Sequence, residues 1–202
     1  MKRRKKWSVV SALLALAGVL LWQFSPAQAV FAIASLSDPD KLATLGERGA
    51  NPRLNKIVYW MEHANRRGMS PETTVNLAQW WNFTREPRAS LVNESLARNH
   101  KIAGELGLFT PENLDRLRNG KAGEVTRGPY AGEPVEIDHL VPFSLAPEVG
   151  NELANLEMLP RTLNRKKSNR VNERALKHAE RLFAAGLLKE ESLARVKGTS
   201  TR

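Results

Sequence analysis

Residues 134–170 read PVEIDHLVPFSLAPEVGNELANLEMLPRTLNRKKSNR, and the rest of the chain reads as the setting for them. Val135, Ile137 and Leu140 surround the pair Asp138-His139 and predict a short strand that ends at Pro142. Leu156 to Leu159 predict a second short strand, and Pro160 with Arg161 opens a helix carrying Asn164, Arg165 and Lys167. The order is strand, loop, strand, helix. Asp138, His139, Asn155 and Asn164 stand within it as four polar residues that make a candidate metal site.

The residue types suit one chemistry in particular. Phosphodiester hydrolysis needs an in-line water, a base to deprotonate it, and a cation to stabilise charge on phosphorus and the leaving oxygen. An Asp oxygen and an Asn amide oxygen are hard donors that suit magnesium, which keeps its remaining positions for water and phosphate. Asp138 and Asn164 can supply them, and His139 has the one side chain whose unperturbed pKa lies near neutrality. Glu136, two residues before Asp138, falls on the same face of an ideal strand and is a further candidate ligand. Taken singly, Asp138 as a turn cap, Asn155 as a loop brace and Asn164 as an exposed helix residue are the better readings; their joint spacing reverses that order.

Asp138-His139, then Asn155, then Asn164 with Lys167 three further on, resembles the HNH nuclease family and its ββα-metal fold. VEIDHLVP, NLEML and NRKKSN are similar to the variant whose third position is Asn, with the spacing found in the HNH domain of RNA-guided CRISPR effectors. The resemblance covers 37 residues, under a fifth of the chain. It implies that His139 is the general base, that Asp138 and Asn164 hold one divalent metal, and that Asn155 belongs to the catalytic set by bracing the loop around the histidine. It also implies a 5′-phosphate product and a phosphate-side role for Lys167. Asn where many members have His moves the expected metal to magnesium, with manganese second. With no cysteine in the chain, neither disulfides nor a Cys-held structural zinc is expected.

The 202 residues carry 31 Lys and Arg against 21 Asp and Glu, a net charge of +10, which points to polyanions or anionic surfaces. Part of that charge lies in the opening MKRRKKWSVVSALLALAGVLLWQFSPAQA, which has the basic, apolar and small-x-small parts of a secretory signal. Cleavage is expected after Ala29; it removes five bases and no acid, leaving a net charge of +5. The rival is an uncleaved anchor over residues 7–24, close to the ~20 residues that span a bilayer.

Outward from the motif the pattern is helical. Residues 30–50 predict a lead-in with at most a short helix. Apolar residues at three- and four-residue intervals predict a helix over 53–66, and Ser70-Pro71-Glu72 and Thr110-Pro111-Glu112 are start signals for two more, with a fourth over 87–106. Trp80 and Trp81 suit stacking on bases, but a core anchor is the commoner use. His63, His100 and His178 have no partner at helical spacing and read as structural or exposed. Residues 120–133 form a Gly- and base-rich loop in which Lys121 and Arg127 can reach phosphate. A last helix follows Asn169, stopping near Gly186, and residues 191–202 read as a frayed tail.

These readings predict an α+β, mostly helical chain: leader 1–29, helical region 30–120, ββα-metal (HNH) core with its C-terminal helix over 121–190. The expected function is exported, metal-dependent hydrolysis of DNA, favoured over RNA, with low sequence specificity, since no base-reading module is visible. Arg161, Arg165, Lys166 and Lys167 with Arg127 are the expected nucleic-acid contacts, and no stable membrane association is expected after cleavage. Two rivals stand beside it: a non-catalytic nucleic-acid-binding protein on the same fold, and a membrane-anchored envelope protein.

Overall fold

The computed structural model describes residues 9–16, 18, 25–168 and 170–200. The basic run at 2–6, residues 19–24 of the expected leader, Asn169 and the last two residues of the expected tail lie outside the described residues. Residues 9–16 are helical and exposed, and among the described residues no helix is long and apolar enough to cross a membrane.

From residue 25 on, six described helices precede the sheet: α1 (Ala27–Ser37), α2 (Pro39–Ala43), α3 (Asn51–Asn65), α4 (Pro71–Trp81), α5 (Arg88–Glu105) and α6 (Pro111–Arg118). Strands β1 (Val135–His139) and β2 (Leu156–Pro160) follow, then α7 (Arg161–Lys167), α8 (Glu173–Ala184) and α9 (Glu190–Ser200). The chain is therefore α+β and mostly helical. Its helix starts are chemical: Ser70 Oγ accepts the Thr73 amide at 3.1 Å, Thr110 Oγ1 that of Asn113 at 3.3 Å, and Asn172 Oδ1 that of Ala175 at 2.9 Å. Gly120 stops the chain after α6 in the left-handed region, φ 75°.

One core serves the whole chain. Leu54, Ile57 and Met61 of α3, Leu96 of α5 and Leu117 of α6 are fully buried in the same cluster as Leu153, Leu156, Met158 and Leu182. Each such side chain contributes roughly 1.5–3 kcal/mol by leaving water, so the helical region and the strands stabilise one another.

The sheet has only two strands, antiparallel, with Asp138 opposite Glu157 and His139 opposite Leu156. A lone two-stranded sheet is marginal in water, and its edges need cover. Helix α5 supplies it on β2: Asn99, fully buried, donates through Nδ2 to Leu156 O (2.9 Å) and accepts the Met158 amide on Oδ1 (2.8 Å). One side chain thus imitates a neighbouring strand. Beside β1 the loop contributes Gly123 O, which accepts the Val135 amide at 2.9 Å.

Three expectations need correction. The lead-in is not loose: α1 is eleven residues long and buries Ala29, Ile33 and Ala34, while Gln79 donates to Ser37 Oγ (2.9 Å) and Asn82 to Ala34 O (2.8 Å). Those partners come from around α4, out of reach of a local pattern. The tail is helix α9, which buries Val196 and joins Lys197 to Glu180 at 3.3 Å. Trp80 and Trp81 are not core anchors; they are 70% and 52% exposed, and Trp81 meets Phe31 edge-on at 4.7 Å.

Candidate active site

β1 delivers His139 at its last residue. His139 Nε2 lies 2.9 Å from Gly150 O, and because a carbonyl only accepts, Nε2 carries the proton. In the neutral ring Nδ1 is then a free lone pair. Nδ1 has no protein partner among the described residues and is not among the buried unpaired atoms, so it faces solvent. Burial pushes the imidazole below the usual histidine value, opposed by the Gly150 carbonyl and the Asp138 charge and assisted by Arg48 and Lys167. The ring is held as a base at neutral pH.

The loop that orients it is built from close contacts. A Cβ added at Gly150 would lie 2.5 Å from the Phe143 ring, so only glycine lets the carbonyl approach, and that ring in turn lies 5.7 Å from the imidazole. Asn155 is fully buried and ties the loop from within: Oδ1 accepts the Val141 amide (2.8 Å), and Nδ2 donates to Val141 O (3.1 Å) and Val149 O (3.4 Å). Asn155 is therefore a positioning residue. Asn151 draws the 45–50 loop over the same corner, accepting the Ala50 amide (3.1 Å) and donating to Leu45 O (3.1 Å) and Gly46 O (3.0 Å). That loop carries Arg48, whose charge reaches His139.

Glu136 and Asp138 both meet α7. Asn164 Nδ2 donates to Glu136 Oε2 at 2.8 Å, which leaves Asn164 Oδ1 available, and Arg161 pairs with Glu136 at 3.4 Å. Lys167 is the central cation. Its Nζ donates to Asp138 Oδ2 (2.6 Å), His139 O (2.6 Å) and Glu157 Oε1 (3.1 Å), with the side chain only 15% exposed. Lys167 thus faces inward, where the sequence places it toward phosphate. Glu157, 3% exposed at its side chain, also pairs with Arg174 at 3.0 Å.

These oxygens fit a small hard cation. Asp138, Glu157 and the His139 carbonyl surround the Lys167 ammonium, and Glu136 with Asn164 forms a separate hydrogen-bonded pair between β1 and α7. Among the described residues no group of three His, Cys, Asp or Glu side chains converges as a metal cage. Magnesium does not require one, because it is commonly held by one or two carboxylates with water and phosphate completing the shell.

The remaining expected contacts separate into two kinds. Arg165, Lys166 and Arg127 are exposed and have no acidic partner among the described residues, whereas Arg161 is paired. Glu133 fastens the loop carrying Arg127 to α7, accepting from the Thr162 amide (2.9 Å) and hydroxyl (2.7 Å). Away from the site, His100 pairs with buried Glu62 at 3.1 Å, a partner 38 residues distant that spacing could not reveal. Sequence reasoning missed Asn99, Gly150, Glu157 and Arg48; only the positions of Gly150 and Glu157 inside the quoted stretch marked them. Comparison of the chain with protein-family models, with curated proteins and with solved structures found no match.

Proposed function

We propose that the chain is an exported, metal-dependent HNH endonuclease that hydrolyses DNA phosphodiester bonds with low sequence specificity. The observation that carries the reading is the orientation of His139: Nε2 is bound to Gly150 O and Nδ1 is free, while its sequence neighbour Asp138, with Glu136 and Asn164, supplies hard oxygens from β1 and α7. A divalent ion held by Asp138 and Asn164, with Glu136 in support, would stabilise the charge that develops on the phosphate and the leaving oxygen. His139 Nδ1 accepts a proton from water as the water oxygen bonds to phosphorus. The bond from phosphorus to the 3′ oxygen breaks, that oxygen takes a proton from solvent, and the products are a 3′-hydroxyl and a 5′-phosphate. Gly150 and Asn155 keep the base still, and Lys167 balances Asp138 and Glu157. Exposed Arg165, Lys166 and Arg127 suit phosphate contacts that carry no sequence information.

An end-labelled duplex incubated with the purified chain in magnesium tests the reading. It predicts 5′-phosphate ends from wild type and uncut but bound duplex from His139→Ala. Equal cleavage by the two proteins contradicts it.

One observation favours the anchored alternative for the N-terminus. Ala29 is fully buried inside α1, so cutting after it would open a packed helix. N-terminal sequencing of the exported form decides: a first residue of Val30 ends the anchored reading, and a retained residue 9–16 segment ends the cleaved one.

A further inference from the structure

A cavity of about 470 Å³ opens at Leu140, the residue that follows His139. Its walls are Leu140, Arg98 of α5 and Glu173, Arg174, Lys177, His178 and Arg181 of α8. Four cations and a histidine around one cavity require an account of their counter-charges. Arg174 pairs with Glu157 (3.0 Å), Lys177 with Glu173 (2.7 Å) and Arg181 with Glu94 (2.7 Å). Arg98 is left over: its Nη2 donates to Ser95 Oγ at 3.1 Å, and it has no carboxylate partner among the described residues.

Arg98 is also largely enclosed, and its Nε, a donor in every protonation state a protein reaches, is buried with no acceptor. Burial first, then the Arg174 charge, press its pKa downward, opposed at longer range by Glu157 and Glu94, which are themselves paired to Arg174 and Arg181. Buried charges are ordinarily paired, and buried donors bonded. His178, 8% exposed, presents a second buried unpaired atom, Nε2, to the same cavity. A neutral ring there offers a lone pair, and a negative charge beside it favours the protonated ring, which donates. With Glu173 already paired to Lys177 as the carboxylate on a wall that carries four cations, the cavity is short of negative charge.

We propose that this cavity is a phosphate-binding subsite, gripped by Arg98 and closed by His178, that holds a backbone phosphate of the nucleic acid beside the His139 site. The phosphate chemistry stands on the cavity alone; the backbone as its source rests on the nuclease reading. Arg98 serves binding and register, and takes no part in bond breaking.

The test uses the full chain as wild type and Arg98→Met, each also carrying His139→Ala for binding. Inorganic phosphate should raise the melting temperature of wild type and leave Arg98→Met unmoved. Oligonucleotide affinity by fluorescence anisotropy should fall about tenfold in Arg98→Met, and the slope of log affinity against log salt should shrink by about one. Replacing a partly buried cation that lacks an ion-pair partner by an apolar chain of similar length should leave unfolding stability unchanged or higher. A merely structural arginine would lower it. Phosphate protection with unaltered oligonucleotide binding overturns the nucleic-acid source and leaves a free-phosphate site. No response to phosphate and no change in oligonucleotide binding overturns the proposal outright. Cleavage by the wild-type chain is measured in parallel: its absence, with phosphate bound through Arg98, would sink the nuclease reading and not the subsite.

Discussion

Asp138 and His139 are neighbours in sequence, yet the two halves of the site are held by different forces. The His139 half is buried and neutral: a carbonyl from Gly150, the amide clamp of Asn155, the aromatic face of Phe143 and the α5 edge made by Asn99. Helix α7 buries none of its own residues, and its half of the site is held by charge, with Lys167 between Asp138 and buried Glu157 and Arg161 on Glu136. Buried hydrogen bonds fix a geometry whatever the solution holds, whereas ion pairs exchange partners when another cation arrives. The account therefore assigns a pre-set base to one half and a cation-responsive ligand set to the other.

The largest effect separates the halves by function. His139→Ala should reduce cleavage by about 10²- to 10⁴-fold with DNA binding retained, read from single-turnover rates and anisotropy. Loss of binding along with rate would make His139 part of the contact surface instead.

Asn155→Ala strikes the clamp. It strips a buried amide and carbonyl of their partners, each worth about 1–3 kcal/mol, so denaturant unfolding should show a loss of about 3–4 kcal/mol. A change below about 1 kcal/mol would mean that the loop does not depend on it.

His178 lies under the same half, bonded to the Ala154 carbonyl, and burial first, then Arg98 and Arg181, lower its pKa to about 4. The unfolded chain takes up this proton near pH 6.5, so between about pH 6.5 and 4 it binds more protons than the fold, and stability falls as pH drops. The loss should approach about 3 kcal/mol at the acid end and be missing from His178→Gln, as stability-versus-pH curves will show. Parallel curves for the two proteins would contradict it.

Lys167→Met probes the charged half. In chelator it should lower stability by about 1–2 kcal/mol, because Asp138 and Glu157 lose their shared cation, and millimolar magnesium should restore more stability to the variant than to wild type. Equal magnesium responses would break the idea of a cation-responsive half. Arg165→Ala and Lys166→Ala should change stability by less than about 0.5 kcal/mol while lowering the salt slope of DNA binding by about one each.

The charged and buried halves also differ in how far they could be read from sequence. The strand, strand, helix order and Glu136 on the face of Asp138 follow from local spacing, because strand alternation and helix starts are set by neighbours in the chain, whereas Asn155 as a brace comes from the family resemblance. Lys167 was legible as a cation near the site but not in its direction, since Glu157 faces it only through strand register. Asn99, Arg48 and Arg98 lie 35 or more residues upstream of the motif and have no local signature; only tertiary packing brings them in. The same holds for α1 and α9, whose buried faces are short and whose polar partners lie elsewhere.

If His139 is a base poised beside a cation site, as proposed, supercoiled plasmid will report it. Purified protein is incubated with plasmid in magnesium, in manganese and in chelator, with His139→Ala alongside. The account predicts nicking in either metal, none in chelator, and its loss in His139→Ala. Nicking by His139→Ala at the wild-type rate, or cleavage undiminished by chelator, would contradict it.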